Sequence, residues 1–314
     1  KRGKPPRKRP RTKGPGREAV GTLSAEAVQR AVQRLTPATR QDLGTWLLQG
    51  LAELRPADMA IKWVRQPLFL GGRYRKLARD VPQSPWFIDG QRKGRGSVEE
   101  CLGHAIQAAF GADEVKFQAA GREDIDVRML GHGRPFLVEV LQPRRLTALS
   151  AVDQIMRSIN SDMTGPNKDQ DVEVEALQWV PRSVEKEMHD GAADKKKGYR
   201  CMVWVSKPVT PQDLEARLDS VADLKVAQDT PIRVVHRRSP MIRDKMIHSL
   251  RTSWINSHWF QLDVVASAGT YIKEFVHGDL GRTRPCVGDL LSCEADIVQL
   301  DVVEVFMEGR LSAL

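Results

Sequence analysis

The sequence predicts an α+β fold whose central sheet is mixed and largely antiparallel. Three observations favour this class: apolar residues alternate in many short runs, turn residues separate most of these runs, and only a few segments keep helical spacing. Because most neighbouring runs are joined like hairpins, their strands are expected to pair mainly antiparallel. With 41% hydrophobic residues among 314, the chain can form a substantial core.

The first 20 residues are predicted to be a disordered basic tail. Residues 1–17 contain nine Lys or Arg, four prolines and no acidic residue, and this composition cannot form a core. The whole chain carries a formal charge of +9, so residues 18–314 are formally neutral. The tail fits a nuclear-import signal or a phosphate-binding arm, and equally a solvated linker.

Residues 21–57 are predicted to be a helical linker segment with two helices. The tetrad Ala-Val-Gln-Arg at residues 27–30 repeats at 31–34, and leucines between residues 43 and 54 keep helical spacing. A helical pair of this size is expected to need the main body to pack against.

The remainder, residues 58–314, is predicted to be one folded domain. Its first strand is expected at residues 61–70, followed by a Gly71-Gly72 turn and a basic loop. Ser97 and Glu100 form a predicted capping box for a helix that Gly111 ends.

A charged turn is expected between the β elements that follow. Val115 and Phe117 alternate as a strand, the turn occupies residues 121–124, and the next strand is expected to turn at 131–133 and return. Loops on rigid scaffolds often carry the chemistry of a protein. The pattern continues with a surface helix, several strands and two short helices, expected at residues 183–198 (helix and loop), 201–205 (strand), 210–221 (helix), 232–236 (strand), 260–264 (strand), 272–280 (helix) and 297–306 (strand).

Several classes of protein are excluded by composition and spacing. Four scattered cysteines show no CxxC spacing, and the seven histidines show no metal-binding spacing. Phosphate-loop, serine-hydrolase and zinc-protease motifs are absent, and no run of 18 apolar residues occurs. We therefore expect the protein to have no metal, no cofactor and no membrane span. We also expect it to lie in a reducing intracellular compartment.

Three polar patches remain as candidates for function. Residues 121–128 are dense in charge, although a polar β-turn alone would explain them. Residues 267–275 join a strand to a helix and contain Tyr271, although an ordinary helix start with a core aromatic would look the same. Residues 233–245 are basic, and their interleaved Pro240, Met241 and Ile242 fit an RNA-gripping loop better than a solvated helix face.

Together these patches resemble the pseudouridine synthases, and more narrowly the archaeal and eukaryotic tRNA family that modifies uridines 54 and 55 of the TΨC arm. Residues 121–128 are similar to that family's catalytic loop. Residues 269–273 are similar to the tyrosine and basic-residue motif shared with the bacterial uridine-55 enzymes. The likeness covers about residues 58–306 and implies the pseudouridine synthase catalytic fold.

One departure from this family concerns the N-terminus. Family members carry an N-terminal accessory RNA-binding domain with cysteine pairs, whereas residues 1–57 are short and contain no cysteine. We therefore expect either that the chain is the catalytic part alone or that the accessory domain has been lost.

The resemblance implies a role for each matched residue. Asp124 is the catalytic carboxylate, which either attacks C1′ or abstracts a sugar proton. Lys273 is its ion-pair partner, and Tyr271 stacks on the flipped uracil. Asp126 is interpreted as structural, because it would alternate to the opposite face of a strand that had already begun.

The expected partner is tRNA, bound by a monomer in the nucleus and/or cytoplasm. By resemblance, two basic loops flank the cleft, and Arg122 contacts RNA or helps to flip the base. The RNA-contact candidates in the two loops are Arg73, Arg75, Lys76 and Arg79 in the first, and Arg233, Arg237, Arg238 and Arg243 in the second. The alternatives are a non-catalytic RNA-binding protein on the same fold and a basic nuclear scaffold.

Overall fold

The computed structural model describes residues 25–34, 36–52, 64–146, 149–162 and 164–306. The chain divides into two units, residues 1–62 and residues 63–314. The predicted basic tail lies outside the described residues. In the part that the structure describes, no helix is long and apolar enough to cross a membrane.

The first unit contains the two helices that its sequence pattern predicts. They are α1 (Ala25–Gln33) and α2 (Pro37–Ala52). Thr36 precedes α2, and its hydroxyl accepts a hydrogen bond from the Thr39 amide at 3.3 Å. This is the usual way in which a threonine cap and a first-turn proline begin a helix.

Within the described part of the second unit, ten strands form one sheet and two form a separate hairpin. The strand order in the sheet is β11-β8-β9-β10-β7-β12-β5-β1-β6, with β4 also paired to β5. All pairs are antiparallel except β12 with β5, which confirms the predicted class. The strands are β1 (Leu68–Lys76), β2 (Trp86–Ile88), β3 (Gln91–Lys93), β4 (Glu114–Ala119), β5 (Arg128–Leu141), β6 (Val172–Trp179), β7 (Lys197–Val205), β8 (Ala222–Gln228), β9 (Arg243–Asn256), β10 (Trp259–Ala266), β11 (Thr283–Arg284) and β12 (Ala295–Val305).

Helices pack on this sheet and enclose the core. They are α3 (Val98–Phe110), α4 (Leu149–Asn160), α5 (Ser183–Asp194), α6 (Pro211–Leu214), α7 (Ile272–His277) and α8 (Val287–Leu291). The capping box of α3 is confirmed, because the Ser97 side chain accepts from the Glu100 amide and Gly111 ends the helix at a φ of +54°. The apolar stripe of α3 is buried, and each such side chain contributes about 1.5–3 kcal/mol.

The sheet consists of two halves that follow each other in the chain. Strands β1, β4, β5 and β6 come from residues 68–179, and β7 to β12 come from residues 197–305. The halves meet where β12 runs parallel to β5, with Asp301 opposite Arg128. The Asp301 carboxylate bridges this seam by accepting from Arg128 at 2.6 Å and from Arg79 at 2.7 Å.

Two segments predicted to be turns run through strands instead. Gly71 and Gly72 lie inside β1, where a Cβ at Gly72 would come within 3.0 Å of the Glu175 carbonyl oxygen. Gly131 and Gly133 lie inside β5 with φ of +59° and +74°. The glycines therefore allow close strand contact and a change of register, not a reversal of the chain.

The predicted strand at residues 232–236 is also wrong. The segment forms a 3₁₀ turn, Ile232–Val234, and the strand of this region is β8, which the sequence analysis did not identify. The apolar residues at 232 and 234 would lie on the same face of a strand. In the structure Ile232 is 48% exposed while Val234 is buried, so the alternating pattern was misleading. The helix predicted at 272–280 is shorter than expected, since Gly278 ends α7 at a φ of +79° and a 3₁₀ turn follows.

Candidate active site

The loop at residues 120–127 joins β4 to β5 and carries Asp124, so its predicted place between β elements is confirmed. Beneath the loop, the buried Glu123 carboxylate accepts from Arg134 Nε at 2.8 Å and from the Tyr74 hydroxyl at 2.9 Å. Arg134 also donates to the Ala120 carbonyl at 2.9 Å. Burial opposes the charge of Arg134, but Glu123 outweighs it and raises the Arg134 pKa. This buried pair fixes one end of the loop.

A buried lysine supports the other end. Lys76 is fully buried, and its Nζ donates to the carbonyl oxygens of Val81 (2.7 Å), Asp124 (3.1 Å) and Ile125 (3.2 Å). Burial lowers the Lys76 pKa to about 8, although Glu123 acts in the opposite direction. Three acceptors match the three N–H donors of an ammonium group.

The Asp124 carboxylate lies between two cations. Its Oδ2 is 3.1 Å from Arg233 Nη1, which comes from the 3₁₀ turn, and 3.8 Å from Lys273 Nζ, which comes from α7. The Asp124 side chain is 43% exposed, so a ligand can reach it. The predicted pair between Asp124 and Lys273 is therefore present at the longer of the two distances.

Lys273 has a closer partner in Asp126. Its Nζ donates to Asp126 Oδ2 at 2.6 Å. Burial opposes the charge of Asp126, but the hydrogen bond and charge of Lys273, together with a backbone hydrogen bond and Lys76, outweigh it and lower the Asp126 pKa. The strand-alternation argument for Asp126 is wrong, because β5 begins only at Arg128. Asp126 lies beside Asp124 and shares its cation.

Tyr271 forms part of the wall next to this carboxylate. Its ring lies 5.8 Å from the Arg233 guanidinium carbon, a cation–π distance. Its backbone is fixed by Gln228, which accepts from the Tyr271 amide and donates to the Tyr271 carbonyl, each at 2.9 Å. The structure thus brings Asp124, Lys273 and Tyr271 together, with Arg233 as their common neighbour.

Most of the first basic cluster does not lie in a loop, which corrects the prediction; only Arg79 lies beyond the end of β1. Arg73, Arg75 and Lys76 lie in β1. Arg75 pairs with Glu173 and Glu175 of β6 at 2.8 and 2.6 Å, and Arg79 pairs with Asp301. Lys76 is enclosed and has no surface to offer a phosphate. A run of basic residues resembles a loop in the sequence because the acidic residues that pair with them lie in strands far away along the chain.

An exposed hairpin follows this cluster and was missed in the sequence. Strands β2 and β3 expose Trp86, Phe87 and Ile88, and the Arg92 guanidinium lies 5.6 Å from the Phe87 ring centre. The overlooked signal was Asp89-Gly90, which has positive φ at both residues and is typical of a two-residue hairpin turn.

The second basic cluster lies in a loop only in part. Arg237 and Arg238 are exposed, and so is Arg122; within the described ranges none of their side chains has a hydrogen-bond or ion-pair partner. Arg243 begins β9 and donates to Thr230 Oγ1 at 3.0 Å, so it shapes the loop. Arg233 turns inward to Asp124.

The sequence analysis also missed two buried residues of β7 that interact with Arg134. Lys197 is 9% exposed, and its Nζ is 3.0 Å from where a Cβ on Gly121 would lie. Burial and the neighbouring Arg134 lower the Lys197 pKa to about 8. Tyr199 is 9% exposed, and burial raises its pKa to about 12. In the sequence, Lys197 and Tyr199 simply continue the alternating pattern of a strand, and nothing in that pattern distinguishes them from ordinary core residues.

The mixed, largely antiparallel sheet with its flanking helices agrees with the fold class that the sequence predicts. Residues 69–306 match the family described as Pus10, C-terminal. The chain belongs to this family.

The chain is similar to proteins named tRNA pseudouridine synthase Pus10. It is 41% identical to the human protein over 250 residues, which is 79% of this chain and 46% of that protein. It is 36% identical to the Thermofilum pendens protein over 295 residues, covering 92% of this chain and 63% of that protein. Among solved structures, a Cbf5–Nop10–Gar1 complex matches at 14% identity with a TM-score of 0.41, over 76% of this chain and 50% of that chain. The chain spans about half the length of the curated relatives it matches.

Proposed function

We propose that this domain isomerises uridine to pseudouridine in the TΨC arm of tRNA, at uridine 55 and/or 54. The single observation that carries the proposal is the part-exposed Asp124 carboxylate, held on a clamped loop between Arg233 and Lys273. Family membership supports the substrate class.

The chemistry needs few groups. The N1–C1′ bond breaks, the uracil rotates, and a C5–C1′ bond forms, so no electrons and no atoms enter or leave overall. One ionised carboxylate is required near the sugar, either as the nucleophile at C1′ or as the base for a sugar proton. Two cations, Arg233 and Lys273, lie beside the Asp124 carboxylate.

The remaining roles follow from position. Tyr271 provides an aromatic surface for a base that has left its stack. Lys273 neutralises Asp124 and Asp126 together. Arg122, Arg237 and Arg238 contact phosphates, since they are exposed. The proposed enzyme is a monomer of the nucleus and/or cytoplasm.

The decisive experiment maps pseudouridine at single-nucleotide resolution in an unmodified tRNA transcript incubated with this chain. Asp124→Asn is expected to abolish product while leaving tRNA affinity nearly intact, because affinity comes mainly from phosphate contacts. Asp126→Asn is the matched control, with a much smaller expected loss.

Two outcomes would contradict the proposal. Product formation by Asp124→Asn within about tenfold of wild type, or about 1.4 kcal/mol, would remove Asp124 from the reaction. A wild-type chain that binds tRNA but forms no pseudouridine would favour the alternative, a non-catalytic RNA-binding protein.

A further inference from the structure

We infer that Arg233 is a positioning residue, anchored by the buried Glu274, that fixes the Asp124 carboxylate and does not contact phosphate. The inference rests on the proposed function of Asp124. It reverses the sequence-based interpretation of Arg233 as one of several RNA-gripping arginines.

The anchor is a carboxylate enclosed by protein. The Glu274 side chain is 2% exposed, and its Oε1 accepts from Arg233 Nε at 2.7 Å. Its Oε2 is buried, and among the described residues it has no hydrogen-bond partner. A buried carboxylate is strongly destabilising without a counter-ion. Arg233 is the cation that meets this need, so its guanidinium is held in place from below.

The other end of the same guanidinium reaches the catalytic loop. Nη1 donates to Asp124 Oδ2 at 3.1 Å while Nε remains on Glu274. The planar fork of an arginine can bind two carboxylates with separate nitrogens, whereas a lysine has a single point of charge. The ring of Tyr271 borders the guanidinium. Arg233 therefore connects three side chains of the site and has little freedom to follow an RNA backbone.

This arrangement distinguishes the two oxygens of Asp124. Both cations, Arg233 and Lys273, contact Oδ2. Within the described ranges no ion pair or side-chain hydrogen bond involves Oδ1, so Oδ1 is the oxygen left for the substrate. Fixing a reactive carboxylate before substrate arrives contributes to turnover, and misplacement by about 1 Å can cost about 100-fold.

The neighbouring Arg237 is a matched control for a phosphate contact. It lies four residues away in the same loop, is exposed, and has no side-chain partner within the described part of the chain. A positioning role predicts a loss of rate, whereas a phosphate contact predicts a loss of affinity.

The experiment compares Arg233→Ala and Arg237→Ala by single-turnover pseudouridine formation and by equilibrium affinity for the same tRNA transcript. Arg233→Ala is expected to lower the rate about 100-fold and to leave affinity within about threefold. Arg237→Ala is expected to weaken affinity by more than it lowers the saturated rate.

Chemical rescue gives a readout that a general loss of structure would not produce. Arg233 and Glu274 line an open groove of about 710 Å³, so a small cation can enter the space that Arg233→Ala creates. Millimolar guanidinium is expected to restore part of the rate of Arg233→Ala and none of that of Arg237→Ala. Arg233→Lys is expected to stay slow, because an ammonium group cannot span both carboxylates.

Glu274→Gln tests the anchor separately, since it keeps the shape and removes the charge. A rate loss with unchanged affinity is expected. If Arg233→Ala keeps the wild-type rate and loses affinity as Arg237→Ala does, or if guanidinium rescues nothing, the inference is overturned while the proposed function stands. A wild-type chain without activity overturns both.

Discussion

Lys76 donates a hydrogen bond of 3.1 Å from inside β1 to the main-chain carbonyl of Asp124. The contact joins the core directly to the residue proposed to do the chemistry. It differs from the second buried lysine near this loop, Lys197, which has no hydrogen-bond or ion-pair partner among the described residues. Burial lowers the pKa of both lysines to about 8. The two buried lysines therefore have similar pKa values but differ in their partners, since Lys76 donates to three carbonyl oxygens and Lys197 to none among the described residues.

Lys76→Met is expected to destabilise the protein and to slow pseudouridine formation. The substitution removes the donor of the Val81 carbonyl, and a buried unsatisfied group costs about 1–3 kcal/mol. The Asp124 and Ile125 carbonyls lose one donor each and keep a main-chain amide, that of Val127 and that of Asp80. Urea unfolding and single-turnover rates measure the two effects. An active variant of wild-type stability would show that the loop holds its shape without Lys76.

Lys197→Met is expected to stabilise the protein below pH 8, by on the order of 2–3 kcal/mol. The folded-state pKa of Lys197, about 8, lies below its ordinary value of 10.5. Below pH 8 the lysine is charged in both states, and the buried charge destabilises the fold. Between pH 8 and 10.5 the unfolded state binds more protons, so the stability of the wild type rises with pH.

The gain from Lys197→Met should therefore shrink as the pH approaches 10.5. Urea unfolding of both proteins at several pH values measures this trend. A loss of stability at pH 7 would mean that Lys197 has a compensating partner in solution.

The sequence predicted the elements whose signals are local. The Ser97 cap, the Gly111 stop and the place of Asp124 between strands follow from neighbouring residues, and all three are confirmed. The wrong secondary-structure predictions arose where contacts with segments far away in the sequence determine the local conformation. Gly131 is a strand residue because the Val303 carbonyl of β12 lies against it, and nothing near Gly131 in the sequence shows this.

The site shows the same division. Motif resemblance identified Asp124, Tyr271 and Lys273, which the fold brings together. It did not identify the inward turn of Arg233, because Glu274 lies 41 residues further along the chain. Buried ion pairs between residues far apart in the sequence leave no periodic pattern in it.

Tyr271→Phe is expected to lose less activity than Tyr271→Ala. The phenyl ring keeps the stacking surface, which is worth about 1–3 kcal/mol per base. Tyr199→Leu in the same single-turnover assay is the comparison, since Tyr199 is a buried tyrosine whose pKa is influenced by Arg134 beneath the Asp124 loop. A larger loss for Tyr199→Leu than for Tyr271→Ala would assign the stacking ring to Tyr199.

Neutralising Arg237 and Arg238 together is expected to weaken tRNA binding and to lower its salt dependence. At about 0.7 per phosphate contact on a single strand, the slope of log affinity against log salt should fall by about one to two units. The control removes two exposed charges elsewhere, with Lys116→Gln and Lys168→Gln. Equal slopes for the wild type and the arginine double variant would contradict the proposed contact.

Deletion of residues 1–17 is expected to lower non-specific RNA affinity and to leave the choice of uridine unchanged. The nine basic residues of this segment bind phosphates without reading sequence. Affinity across a salt series and nucleotide-resolved product mapping test both parts. Loss of all modification would make the segment the main RNA contact.

The residues of the candidate site come from the two consecutive stretches of chain that meet where β5 pairs with β12. The carboxylate of Asp124 comes from the stretch before α5, whereas the cations of Arg233 and Lys273 come from the stretch after it. A protein cut between β6 and β7 would yield one fragment with the Asp124 carboxylate and another with its two counter-ions. Activity would then report the reunion of the fragments, which makes this domain a natural starting point for a split enzyme.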